Sequence, residues 1–290
     1  MLRFVYSIVL GLTLGGVISL ISLGLVLAFR ATHTFNFAHG QFMFLPALIL
    51  AYSQTKGVSL VKGLAIAIVV SLLFIVIFYQ VVLRRAVGQN LMMGIIATLG
   101  LAFFIDGALG MTIPSVGYSL VIPGVPQGIF RIAGVNVSQA SLTNAGVTLV
   151  LAIVVISVLR FTTLGIRVRA SGQNALLASQ CGIPIRRLHL GSWIVAVILA
   201  GVAGVSYGSV TQIDQGIIGL GLLALPAVVL GGMDSIEGSV IAGVILGLVI
   251  SFTQMYLGGD YQDLVAYTVL LVVLLVKPQG IFGSKSVVRA

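Results

Sequence analysis

Nine apolar runs, each near the length that crosses a bilayer, account for most of this chain of 290 residues. At ~1.5 Å per residue about twenty apolar residues span the hydrocarbon core. On that ruler the runs are 4–29, 37–53, 60–83, 90–112, 143–160, 190–212, 217–233, 238–257 and 263–276. Lipid offers the backbone no hydrogen-bond partner, so such a chain must fold as a helix bundle. The expectation is an all-α polytopic membrane protein of about 8–10 spans. Only 7% of residues are charged, against roughly a quarter in soluble domains, which excludes a soluble globular class.

Three runs are irregular: 37–53 begins in a polar turn, 217–233 is broken by Gly and Pro, and 263–276 is short. The interval 113–142 holds Pro114, Pro123 and Pro126. It reads as a folded loop on one face, with a re-entrant piece as the alternative. The first run is too long for a secretory h-region and is expected to be a retained span. The lone Cys181 excludes an internal disulfide framework.

The net charge of +9 does not point to nucleic acid, because the basic residues lie between apolar spans without interleaved aromatics. Arg30, Arg84, Arg85, Arg160, Arg167, Arg169, Arg186, Arg187, Lys277, Lys285 and Arg289 fall on one side of the parse. Arg3, Lys56, Lys62 and Arg131 fall on the other. The positive-inside rule makes the richer side, with the C-terminus, cytoplasmic.

The spans before and after 143–160 run in opposite orders. Phe44-Leu45-Pro46-Ala47 in the second span corresponds in place to Ala224-Leu225-Pro226-Ala227 in the seventh. Two interrupted segments in matching positions predict an inverted repeat with a pathway between its halves. The parse is a single domain over 1–290, with halves 1–112 and 190–290 linked by 113–189. Chance recurrence of Leu-Pro-Ala is the competing reading.

The longest polar interval, Arg160 to His189, has five basic residues and no acidic one. It reads as a short helix from Ser171 to Cys181. Ser171 supplies an N-cap, Gly182 the left-handed residue past the end, and Pro184 a stop. In the first half, Phe35-Asn36-Phe37-Ala38-His39-Gly40-Gln41 is the most distinctive polar break. Asn36 is placed to cap the next helix, leaving N–H groups for a ligand; a capped turn with a backbone-bonded His39 fits equally. Asn36, His39, Gly40, Pro46, Pro226 and the intramembrane Asp106 are the candidates for a pathway or gate. Asp106 is expected in a water-facing position, because a carboxylate facing lipid is costly. Asp214, Asp260 and Asp263 fall at outer helix ends and read as loop solvation or helix capping, with docking of a basic partner surface as the alternative. Asp234 and Glu237 lie in a Gly-rich turn.

No phosphate loop, zinc-protease helix motif, serine-hydrolase elbow or Cys cluster occurs, so no catalytic residue and no metal site is expected. Intramembrane carboxylates are too few for a proton relay.

Four stretches carry a resemblance. They are Phe35-Asn36-Phe37-Ala38-His39-Gly40, then Gly165-Ile166-Arg167-Val168-Arg169-Ala170 with Ala178 and Gly182-Ile183. Val229-Leu230-Gly231-Gly232 with Ser235 and Gly238 follows, and Lys277-Pro278-Gln279-Gly280-Ile281-Phe282-Gly283 closes the set. In this order they resemble the permease subunits of bacterial branched-chain amino acid ABC transporters. The resemblance implies a multi-pass inner-membrane importer with a second permease subunit, or a second copy of this chain. It also implies separate ATPase subunits that bind ATP and Mg, and an external solute-binding protein, with no cofactor in this chain. It places ATPase coupling on Arg169, Ser171, Asn174, Leu177, Ala178, Gly182, Ile183 and Arg186. Gln173-Asn174 stands where family members often carry an acidic pair, and Asp234 where glycine is expected. Similar permeases move urea, amides or other small solutes, and a self-contained channel is the rival from another class.

Overall fold

The computed structural model describes residues 2–87, 91–114, 117–132 and 135–283. Lys285 and Arg289 of the basic set lie outside them. All nine apolar runs are helical. They are α1 (Leu2–Thr32), α2 (His39–Thr55), α3 (Leu60–Phe78), α5 (Leu91–Thr112), α6 (Gln139–Phe161), α9 (Ile185–Gly208), α10 (Gly216–Gly231), α11 (Ile236–Tyr256) and α12 (Gln262–Val276). A π-helical turn, Tyr79–Leu83, carries α3 into a last turn, α4 (Arg84–Ala86). The polar interval adds α7 (Thr163–Gln173) and α8 (Ala175–Gln180). Counting α3 with its extension and α12 with the 3-10 turn before it, Gly259–Tyr261, seven helices are long and apolar enough to cross a membrane. The shorter pair, α2 and α10, have 17 and 16 residues, and each contains an internal proline, Pro46 or Pro226.

The interval 113–142 carries a hairpin, β1 (Ile129–Ile132) paired antiparallel with β2 (Val135–Ser138). Tyr118 and Ile213 exchange backbone hydrogen bonds of 3.0 and 2.8 Å, and the Gln54 amide holds Val121 through two more. No re-entrant helix occurs there among the described residues.

The centre of the bundle is α1, whose spanning window is 83% buried, against 6% for the helix ending at Val276. Small residues let α1 and α11 approach closely, as lipid-embedded helices require. A β-carbon on Gly11 would lie 2.8 Å from the Leu248 Cα, and one on Gly247 would fall onto the Gly15 backbone. Serines bond across the same seam: Ser19 Oγ donates to the Val240 carbonyl at 2.8 Å, and Ser251 Oγ to the Ser7 carbonyl at 2.8 Å.

Around α1 the packing repeats. α2 packs on α9 and α3 as α10 packs on α1 and α11, and α3 meets α9 as α11 meets α1. α5 contacts α2 as α12 contacts α10. Three close approaches place α2. Gly204 of α9 lies against the Met43 backbone, Gly201 against the Pro46 ring, and Gly40 against Gly221 of α10.

The seam gives a test. Gly247→Leu would drive a side chain into Gly15, and overpacking of this kind costs about 1–3 kcal/mol. Thermal unfolding in detergent should show a lowered midpoint. Gly100→Ala, where an added β-carbon meets nothing within 4 Å, should leave it unchanged or slightly raised.

Candidate functional site

The polar interval folds as a helical hairpin rather than as one short helix. The expectation that Ser171 caps the short helix is corrected: Ser171 lies inside α7 and is buried. Asn174 breaks the helix with an extended backbone (φ −156°, ψ 100°). Its Oδ1 accepts the Leu177 N–H at 3.0 Å, the bond of an N-cap. The other end matches the expectation. Gly182 has φ +79°, its N–H donates to Ser179 at 3.0 Å, and the Ile183 N–H donates to Ala178 at 3.1 Å. Those are the two bonds of a Schellman motif.

α7 is fixed to the bundle on several sides. Arg169 donates to the Leu159 carbonyl at the end of α6 at 2.8 Å. Ser171 Oγ and His189 Nε2 of α9 are 3.2 Å apart and hydrogen-bonded. A β-carbon at Gly172 would sit 2.5 Å from the Arg30 carbonyl at the end of α1. Gly165 leaves no room at all beside Leu159. Where α9 begins, the Arg186 carbonyl accepts the Tyr79 hydroxyl of the π turn at 3.0 Å, and Trp193 Nε1 donates to Thr32 Oγ1 at 3.2 Å. α8, by contrast, is presented outward: Leu176 and Leu177 are 69% and 57% exposed, while Ala178 is buried against the hairpin.

Three of the four resemblance-bearing stretches meet here. The Ile281 and Phe282 N–H groups bond to Leu230 and Gly231, laying the C-terminal stretch on the turn between α10 and α11. Arg30, Arg160 and Arg169 share a polar cavity of about 340 Å³ with Asp234, Glu237 and Phe282. Asp234 needs no special backbone, because Gly232 takes the left-handed conformation (φ +96°). Ser235 caps α11 by accepting the Gly238 N–H at 3.0 Å, with Glu237 in the first turn.

The second group of candidates surrounds the start of α2. The Asn36 side chain does not cap that helix. Its Oδ1 accepts the Ala38 N–H at 3.1 Å, making an Asx turn just ahead of it. The linker is held by α5, where Thr98 Oγ1 accepts from Phe37 and donates to Phe35. His39 packs against Gly24, eight residues short of the end of α1, so α2 starts about 12 Å inside that end. Asn36, His39 and Gly40 enclose a space of about 10 Å³ with Gly221 and Leu225 of α10. Asn36 Nδ2, both His39 ring nitrogens and Gln41 Oε1 are buried without hydrogen-bond partners. The His39 ring lies by the Ile21 backbone but outside hydrogen-bond geometry.

Asp106 accepts from Gln41 Nε2 at 3.1 Å and lines a cavity of about 390 Å³ with Phe44, Leu48, Leu109 and Asp214. Asp214 Oδ1 also accepts the Gly216 N–H at 2.8 Å, an Asx turn just ahead of α10 rather than a cap on it. Pro46 and Pro226 line neither space; both are buried within their helices. Sequence reading missed Gln41, Gly221 and the sharing of one cavity by Asp106 and Asp214. Only contacts distant in sequence reveal them. No cluster of three His, Cys, Asp or Glu that could hold a metal occurs among the described residues.

A helical, multi-pass bundle with an anchored polar hairpin and a proline-containing helix beside a polar cavity defines the class as a polytopic membrane protein. Comparison with known proteins gives the family. A family model described as the branched-chain amino acid transport system / permease component matches residues 7–274, and the chain belongs to that family. It is 28% identical to the permease protein LivH of the high-affinity branched-chain amino acid transport system of Escherichia coli K12, over 99% of this chain and 97% of that one. To the corresponding BraD protein of Pseudomonas aeruginosa it is 27% identical, over 98% and 97%. A chain of PsaBC from Streptococcus pneumoniae in complex with Fab shares the fold. The TM-score is 0.53 at 12% identity, covering 93% of this chain and 91% of that one.

The cap assignment is open to direct measurement. Asn174→Ala removes an N-cap worth about 1 kcal/mol, so amide hydrogen exchange across 175–180 should quicken about fivefold. Ser171→Ala should leave those amides unchanged.

Proposed function

We propose that this permease subunit carries branched-chain or related amino acids through a bacterial inner membrane. The driving force is ATP hydrolysed, with Mg, by separate ATPase subunits. A second permease subunit, or a second copy of this chain, completes the membrane core, and an external solute-binding protein delivers the solute. The C-terminus and the α7–α8 hairpin face the cytoplasm. The halves 1–112 and 190–290 form an inverted repeat, a reading supported by the exchangeable packing of α1, α2, α3 and α5 with α9, α10, α11 and α12.

The observation that carries this reading is the contrast within the hairpin. α8 offers exposed Leu176 and Leu177, while α7 is bonded or packed against α1, α6 and α9. An ATPase surface that grips α8 therefore moves α9 as a rigid body. α9 in turn touches α2 at Met43 and Pro46, so its displacement reaches the closure formed by Asn36, His39 and Gly40. Coupling rests on Arg169, Asn174, Leu177, Ala178, Gly182, Ile183 and Arg186. Ser171 belongs to the α7 anchor. The solute passes the cavity at Asp106 and then the closed point at His39, with Pro46 and Pro226 shaping the two helices that part.

Leu176→Asp/Leu177→Asp tests the docking surface; Ala178 is left intact because it is buried. Co-purification of the ATPase subunits should be lost and ATP-driven uptake in proteoliposomes abolished, with the monodispersity of the permease unchanged. Retained co-purification and uptake would sink the coupling assignment. The exposed Cys181 reports orientation: a membrane-impermeant maleimide should label it in inside-out vesicles and not in intact spheroplasts. His39→Leu removes the two unpartnered nitrogens at the closure. Uptake should slow while ATPase docking is retained, and an unchanged uptake rate would remove His39 from the gate.

A further inference from the structure

A groove of about 480 Å³ runs between the end of α6, α7 and the first turns of α9. Its bore is aliphatic, with Val155, Leu164 and Val195 among the lining residues, and Arg167 and Arg187 stand at it. Both arginines are exposed. Neither guanidinium makes a hydrogen bond or ion pair among the described residues. A second groove, of about 560 Å³ between α3 and α5, is lined by apolar residues and Gly100 with no charge. The contrast matters, because lipid tails alone explain an apolar groove and do not explain two uncommitted cations at one.

We propose that the groove between α6, α7 and α9 is a binding site for one anionic phospholipid. An acyl chain lies along Val155 and Val195, and the phosphate is held between Arg167 and Arg187. Three observations support this occupant. Val158 and Leu159 in the last turn of α6 and Arg187 in the first turn of α9 line the groove, so its charged end lies at helix termini, the level of a lipid headgroup. The bore faces the exposed side of α6 and α9, where Val158 and Val195 are exposed apolar residues. The arginines come from two different helices, and guanidinium groups match phosphate oxygens through paired N–H donors. Basic pockets between membrane helices recognise anionic headgroups by this chemistry. A phosphate shared by Arg167 of α7 and Arg187 of α9 would brace the hairpin from the lipid side. This holds whichever solute the permease carries.

The test uses the purified full-length chain in detergent, equilibrated with equimolar phosphatidylglycerol and phosphatidylcholine of identical acyl chains. Native mass spectrometry then counts the lipids retained. The wild-type chain should keep one phosphatidylglycerol in preference. Arg167→Gln/Arg187→Gln should lower that retention by roughly tenfold, the order expected for losing a charge-assisted contact. Arg84→Gln/Arg85→Gln, a basic pair at the end of another span, should leave it unchanged. Gly191→Phe fills the bore without altering charge. An added β-carbon there meets no atom within 4 Å, so the fold should survive, and retention should fall to the level of the arginine variant. Equal retention of the two lipids by the wild-type chain would overturn the site. So would equal losses in the two arginine variants, or an unaffected Gly191→Phe. Should the double variant fail to purify, the wild-type preference and Gly191→Phe decide the matter between them.

Discussion

Helices already surrounded by lipid gain little from the hydrophobic effect when they meet, so this bundle is held by how closely its backbones approach. The contact that sets the rest is the seam of α1 against α11. Gly11 and Gly15 on one side, with Gly243 and Gly247 on the other, leave no space for a β-carbon. The serine hydroxyls bonded across it satisfy donors that lipid could not. With α1 fixed, α9 and α10 are placed by their own contacts to it, and α2 is caught between them. The outer helices are different. α3, α6 and α12 present long rows of exposed aliphatic side chains, although α6 keeps one close contact of this kind, with Gly16 of α1 on Thr148 and Asn144 bonded to Ser206 of α9.

Against that rigid centre the start of α2 stands out. Buried polar groups without partners cost about 1–3 kcal/mol each, and four such atoms gather at Asn36, His39 and Gln41. The surrounding packing pins them there: Gly40 lies on the Ile218 carbonyl, and Thr98 holds the linker on both sides. Parting α2 from α10 would admit water to those atoms and return part of the cost. The contact of α2 with α10 is thereby less favoured than its packing alone suggests. For the ATP-driven transport proposed above that balance matters, since a partner can shift an equilibrium only by the difference it makes between two states.

Hydrophobic length made all nine helices legible, because a membrane span writes its limits directly into composition. The end of α8 was legible for a similar reason: at φ +79° Gly182 is the residue type that fits without strain. Its beginning was not. Ser171-Gly172 has the local look of a helix start, yet Gly172 is small because it lies on Arg30, and Ser171 is polar because it meets His189. Both reasons come from partners outside the motif. The depth of α2 was hidden likewise, since it depends on Gly24 receiving His39. Asp234 looked disruptive only while the neighbouring glycine was not known to carry the turn.

The resemblance-bearing stretches are far apart in sequence, and their meeting at one polar cavity has a mechanical meaning. Motion applied at α8 can reach the membrane only through a joint that does not flex. A helix of eleven residues such as α7 would bend or slide if it were held at one end. Here it is held at Leu159, Arg30 and His189, on three different helices. The C-terminal segment closes the same joint by laying Ile281 and Phe282 on the turn between α10 and α11. α7 is thereby tied at once to α1, α6 and α9. Of these, α9 touches the hairpin through His189 and α2 through Gly201 and Gly204, while α1 touches the hairpin through Arg30 and α2 through Gly24, which receives His39. α1 and α9 are thus the two helices that join the hairpin to the start of α2, and α1 meets the His39 ring directly.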